Sequence, residues 1–134
     1  MIIVDASVAL KWVLPEDGSD AARNLWGQEL AAPSIWLVEA GNALWRRAQT
    51  GTLSTSDAQS RLTQLLNAPV TAVPSEAYLN DALGLAVQLR HPVYDCLYLA
   101  AAIREGTHVV TADNRFLAAV ARDRTLKKHV RALV

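Results

Sequence analysis

Sulfur chemistry has almost no material in this chain: one cysteine, Cys96, stands among 134 residues, so no internal disulfide forms and a reducing compartment is expected. Histidine is scarce too. His91, His108 and His129 show no ligand spacing with one another or with Cys96, which argues against a zinc site. No apolar run reaches the length of a membrane-spanning helix, and the N-terminus enters a strand-like segment instead of a basic leader, so a soluble, unexported, cytoplasmic protein is expected. Repeats, low-complexity tracts and interdomain linkers are absent as well. With 51% hydrophobic and 19% charged residues, the composition excludes a disordered chain and suits one globular domain over residues 1–134.

Neither sign of charge dominates, since 13 basic and 13 acidic residues cancel, but the charge is unevenly placed. Residues 115–134 carry Arg115, Arg122, Arg124, Lys127, Lys128 and Arg131 against Asp123 alone, which leaves the body acidic. A basic end beside an acidic body suits a phosphate-backbone ligand held over a cation, and suits a solvated helix and strand equally well. Arg115, Arg122, Arg124, Lys127 and Lys128 are the candidate substrate-binding residues.

Ile2-Ile3-Val4 reads as a strand, and Ala6 to Val13 as a short helix punctuated by Pro15-Glu16-Asp17-Gly18. Ser19 or Asp20 can cap a helix running to about Leu30, Ala31-Ala32-Pro33 is a brief strand or link, and Ser34 caps a helix to about Gln49. Leu53 to Asn67 follows as a helix with Leu62, Leu65 and Leu66 facing the core, and Val70 to Val73 is a strand. A helix from Pro74-Ser75 to Leu89 puts Ala82, Leu85, Ala86 and Leu89 on one stripe. Pro92-Val93 leads into a helix containing Asp95 and ending at Gly106, then come a strand at 107–111, a helix at 114–121 and a strand at 130–134. Strands alternating with helices predict a three-layer α/β/α sandwich around a mostly parallel sheet of four to five strands. The helix pair between residues 34 and 67 is an insertion in that alternation.

Two of these strands run straight into an aspartate, Asp5 and Asp113. In one parallel sheet their C-terminal ends would put both carboxylates into the crevice where open α/β sheets hold ligands. Glu39 interrupts the apolar run Ile35-Trp36-Leu37-Val38, and Asp95 opens the apolar run from Cys96 to Ile103. Charges beside apolar surface ask for a compensating partner, and a divalent cation with oxygen preference, Mg²⁺ or Mn²⁺, serves all four at once. Taken singly, Asp5, Asp95 and Asp113 each read better as helix N-caps. Glu39 does not, because it lies about one turn inside its helix, although Arg46 is spaced to pair with it. Ser7, Asn42 and Asn114 are placed to support the acids, Asn42 by orienting Glu39. The four tryptophans, Trp12, Trp26, Trp36 and Trp45, all fall in the first third; buried they are core, exposed they form a groove for a partner segment.

Ile3-Val4-Asp5-Ala6-Ser7-Val8, the Glu39 segment with Asn42 and Ala43, Tyr94-Asp95-Cys96-Leu97-Tyr98-Leu99-Ala100, and Thr111-Ala112-Asp113-Asn114-Arg115-Phe116 together resemble a PIN domain, and within that family a VapC-type toxin of a toxin–antitoxin pair. The resemblance runs along nearly the whole chain. It implies a PIN-like fold and an Mg²⁺- or Mn²⁺-dependent endoribonuclease whose acidic quartet is Asp5, Glu39, Asp95 and Asp113, with Ser7 close by. It also implies a homodimer, a cognate VapB-like antitoxin lying across the groove, and RNA products carrying a 5′-phosphate and a 3′-hydroxyl.

A phosphatase of the haloacid dehalogenase type wants a second aspartate two residues after the first, where this chain has Ser7. A phospho-receiver domain wants an acidic pair and a distal lysine, and Lys11 is the only lysine before the basic end. The rival from another class is a non-catalytic PIN-like domain that binds RNA or an antitoxin and keeps the acids for structure. No histidine or lysine is placed by sequence as a general base, so activation of water falls to the metal.

Overall fold

The computed structural model describes residues 1–134. Five short strands, β1 (Ile2–Val4), β2 (Leu30–Pro33), β3 (Val70–Val73), β4 (Val109–Thr111) and β5 (Val130–Ala132), form one sheet in the order β3-β2-β1-β4-β5. All four pairings are parallel. Successive side chains of a strand point to opposite faces, so burial of both Ile3 and Val4, and of Val109, Val110 and Thr111, means that both faces are covered. The edge strands show the contrast: Thr71, Ala72, Arg131 and Ala132 are exposed.

The helices are α1 (Ala6–Leu10), α2 (Ser19–Arg23), α3 (Trp36–Gln49), α4 (Thr55–Leu66), α5 (Leu79–Leu89), α6 (Val93–Arg104) and α7 (Asn114–Ala121). The expected sandwich and the α3–α4 insertion are both present. From β1 the chain winds outward through β2 to β3, then crosses to β4 on the other side of β1. The sheet therefore has its topological switch between β1 and β4, and the crevice beyond those two strand ends is where Asp5 and Asp113 fall.

Several boundaries differ from the sequence reading. Helix α1 stops at Leu10 and the chain turns through residues 11–14 ahead of Pro15. Helix α2 ends at Arg23, a single 3₁₀ turn (Asn24–Gly27) follows, and Leu30 belongs to β2. There it is paired with Ile2 on one side and Val70 on the other and is almost fully buried, a gain no continued surface helix matches. On α4 only Leu65 is fully buried; Leu62 is half-buried, and Leu66 is exposed.

Ser34 does not cap α3. The residue at that position is Ile35, and its backbone N–H donates to Oγ of Ser75, 40 residues away, at 3.0 Å. Ser34 instead shares a hydroxyl hydrogen bond with Ser75. The start of the helix that carries Glu39 is thus fixed by the chain leaving β3. Its far half is fixed by Glu16, whose two carboxylate oxygens take Lys11 at 3.3 Å and Arg47 at 2.6 Å. Trp12 and Trp36 are core, Trp12 donating from Nε1 to the carbonyl of Ala22 at 2.9 Å, whereas Trp26 and Trp45 are exposed. Replacing Ser75 by Ala is expected to lower stability by about 1 kcal/mol. Urea unfolding measures the loss, and amide hydrogen exchange should speed at Ile35.

Candidate active site

Each acid comes to the cavity by its own local rule. Asp5 follows β1 with extended backbone and caps α1: its Oδ1 accepts from the Val8 N–H at 3.2 Å and from the Ser7 hydroxyl at 2.5 Å, and its Oδ2 accepts from the Thr111 hydroxyl. Asp113 follows β4 and caps α7, with Oδ1 accepting from the backbone N–H of Arg115 at 2.9 Å and of Phe116 at 3.4 Å. Asp95 is no cap. Helix α6 begins at Val93 after Pro92, which puts Asp95 in the first turn with Oδ2 accepting from His91 Nε2 at 2.5 Å. Glu39, in the first turn of α3, accepts from the Tyr98 hydroxyl at 2.6 Å through Oε1. Arg46 forms no ion pair with it, since the ion pairs of the chain lie elsewhere.

The four acids line one cavity of about 190 Å³ together with Ser7, Arg46 and Tyr98. Their electrostatics are linked. Burial pushes the Asp5 carboxyl up to about 6, against the pull of Ser7, Thr111 and the Val8 N–H, and the charge of Asp95 adds to the rise. Glu39 is raised by burial, opposed by the Tyr98 hydrogen bond and reinforced by Asp95. Asp95 is itself raised by burial and by the charge of Asp113, with His91 pulling the other way. The charges raise one another, yet no three of these side chains, as they stand, lie close enough together to hold a metal ion between them. An open, water-containing shell is what Mg²⁺ takes, and the donor set fits it. Glu39, Asp95 and Asp113 each have one oxygen fixed by the protein and the other without a protein partner.

The chain matches the PIN domain family over residues 2–122. It belongs to that family. It is 31% identical over 119 residues to Ribonuclease VapC3 of Pyrobaculum aerophilum, covering 85% of this chain and 90% of that protein. Exonuclease VapC9 of the same organism is 32% identical over 91 residues, 68% of this chain and 67% of the relative. Among solved structures, PAE2754 of Pyrobaculum aerophilum superposes with a TM-score of 0.71 at 28% identity, over 98% of this chain and 90% of the other. The sarcin-ricin-loop-cleaving toxin VapC20 of Mycobacterium tuberculosis shares the fold with a TM-score of 0.69 at 19% identity, over 89% of this PIN domain and 95% of the toxin.

The remaining candidates spread out. Ser7 lines the cavity and Arg115 sits beside Asp113, exposed. Asn114 is exposed as the first residue of α7, and Asn42 is exposed and does not line the cavity; Tyr98 holds Glu39 in its place. Lys127 and Lys128 lie in the turn that enters β5, at the strand-start edge of a parallel sheet, opposite the end where the acids gather. Arg122 donates to the Leu89 carbonyl at 3.0 Å, closing the end of α5, and Arg124 is exposed beyond α7 without lining the cavity. In sequence all of these are one basic run, because linear charge counts carry no information about sheet edges.

Three contributors escaped the sequence reading. Thr111 is a fully buried hydroxyl ending an apolar strand, Tyr98 stands three residues after Asp95 on the same helix, and His91 stands four before it. For Thr111 and Tyr98 the partner lies across the fold, 106 and 59 residues away, whereas the spacing of four between His91 and Asp95 was visible in the chain.

A carboxyl raised in the folded state holds its proton better there than in the unfolded chain. The stability it contributes is complete below about pH 4 and is lost as pH rises through about 6. In metal-free protein, unfolding free energy for wild type relative to Asp5→Asn is expected to fall across that window by on the order of 3 kcal/mol. Urea unfolding from pH 4 to 7.5 checks it; parallel curves for the two proteins would rule out a buried, proton-binding Asp5.

Proposed function

We propose that this PIN domain is a metal-dependent endoribonuclease, the toxin of a VapBC-type pair, hydrolysing RNA phosphodiesters. The observation that carries the reading is the convergence of Asp5, Glu39, Asp95 and Asp113, from four separate elements, on one cavity at the switch point of the sheet. The names of the two Pyrobaculum relatives, ribonuclease and exonuclease, support nuclease chemistry.

The four carboxylates are the residues that would hold Mg²⁺ or Mn²⁺. When bound, such an ion supplies Lewis acidity that eases deprotonation of water and draws charge from the phosphate. The protein's own part is positional. Ser7 and Thr111 fix Asp5 by hydroxyl donors that add no charge, Tyr98 fixes Glu39, and the helix N-terminus fixes Asp113. A phosphate enters a cavity of net negative charge, so cations at its rim are needed to offset the repulsion. Arg46 lines the cavity and Arg115 stands at the mouth of α7, and both are assigned that task. Lys127 and Lys128 are too remote for the scissile phosphate.

A VapB-like antitoxin, RNA as substrate, a homodimer and a cytoplasmic place of action complete the proposal. The exposed Val38 and Trp45 on α3 offer apolar surface to a partner segment. No helix is long and apolar enough to cross a membrane.

Purified protein, freed of antitoxin, is expected to cleave a mixed-sequence single-stranded RNA with Mn²⁺ and to stop when EDTA is added. Asp5→Asn and Asp95→Asn should each lose at least about 100-fold in rate, as removal of a charge at the reacting centre does. Denaturing gels with end-labelled RNA read the outcome. Undiminished cleavage by either variant, or none by the wild type, would leave a non-catalytic binding domain as the better account.

A further inference from the structure

The turn joining α5 to α6 contains the one non-glycine residue with positive φ, Arg90, at φ 54° and ψ 48°. A side chain with a Cβ is disfavoured in that left-handed region, so the surroundings must enforce it. Its N–H donates to the carbonyl of Ala86, and the same carbonyl accepts from the N–H of His91 at 3.1 Å. The turn thereby delivers His91 to a defined place. Its ring stacks on Phe116 with centroids 5.7 Å apart and planes 20° from parallel, and its Nε2 lies 2.5 Å from Oδ2 of Asp95. Phe116 is fully buried and belongs to α7, the helix that Asp113 caps. One imidazole therefore touches the acid of α6 and packs on the helix that presents another acid.

We propose that His91 is a positioning residue: held by Phe116 and by the left-handed turn, it pins Oδ2 of Asp95 and leaves Oδ1 for the divalent cation. The inference rests on the nuclease reading above and assigns His91 no contact with substrate. Asp95 sits in a first turn with two rotatable side-chain torsions and faces like charge from Asp113. Without a restraint it relieves that repulsion by swinging away, and cation binding must then first order it. Outer hydrogen bonds to metal ligands are worth about 10- to 100-fold in metal affinity for this reason.

The test separates the ring from its donor. His91→Phe keeps a flat ring against Phe116 and removes the N–H, whereas His91→Gln keeps a donor of similar reach. Electron paramagnetic resonance titration of free Mn²⁺ reads affinity, thermal melting reads folding, and RNA cleavage is followed against Mn²⁺ concentration. His91→Phe is expected to raise the Mn²⁺ dissociation constant about 10-fold or more. Its cleavage rate should return to within a few-fold of wild type at saturating Mn²⁺, and His91→Gln should recover most of the affinity. If His91→Phe fails to fold, His91→Leu provides the donor-free comparison. Wild-type Mn²⁺ affinity in the donor-free variant, or equal losses in it and in His91→Gln, overturns the role of His91. Asp95→Asn is the control on the site: if it binds Mn²⁺ as wild type does, the metal-site reading itself fails, and the two failures are distinguishable.

Discussion

Four carboxylates held around one cavity without an ion pair to any arginine or lysine are the constraint on which the site depends. Like charges at short range in a partly dehydrated setting repel, and the protein offsets this with neutral donors: hydroxyls of Ser7, Thr111 and Tyr98, and backbone N–H groups of Val8, Arg115 and Phe116. Neutral donors orient a carboxylate while leaving its charge for something else. A lysine or arginine pair would have fixed the same side chains and cancelled their attraction for a cation.

Much of the architecture serves that arrangement. The all-parallel sheet sends every strand's C-terminal end to one edge, and the crossing from β3 to β4 opens the crevice between β1 and β4. Burial on both faces makes the strands rigid, so a three-residue strand such as β1 still places Asp5 firmly against Thr111. The longer helices bring the other two acids over that crevice. Helix α3 is tied at its start to Ser75 and along its length to Glu16, and α6 is almost wholly buried from Cys96 to Ala102. Burial raises the Cys96 thiol to about 11, which keeps the lone sulfur protonated and unreactive beside the acids. Stability and function pull in opposite directions at Asp5 alone among the core positions, since it is the one charged residue that is fully buried.

The basic end of the chain shows how linear charge misleads. Arg115, Arg122, Lys127 and Lys128 are close in sequence, but α7 and the turn into β5 carry them from one edge of the sheet toward the other. Only Arg115 stays beside the acids. Arg46, considered in sequence as a partner for Glu39, lines the cavity unpaired and is the better placed cation. Lone arginine spacing on a helix indicates a possible pair, and a buried tyrosine on a neighbouring helix is enough to displace it.

The sequence by itself determined the alternation of strands and helices, the three-layer class and the two strand-end aspartates, because period-2 and period-3.6 burial and helix capping are local properties. It also singled out Glu39, as a charge inside an apolar helical run. The tertiary structure alone decided that Leu30 is strand and not helix, that Ser75 and not Ser34 fixes α3, and that Tyr98 and Thr111 hold two of the acids. Those outcomes depend on which segments pack together, and a hydrogen bond spanning 40, 59 or 106 residues leaves no periodic trace in the chain that makes it.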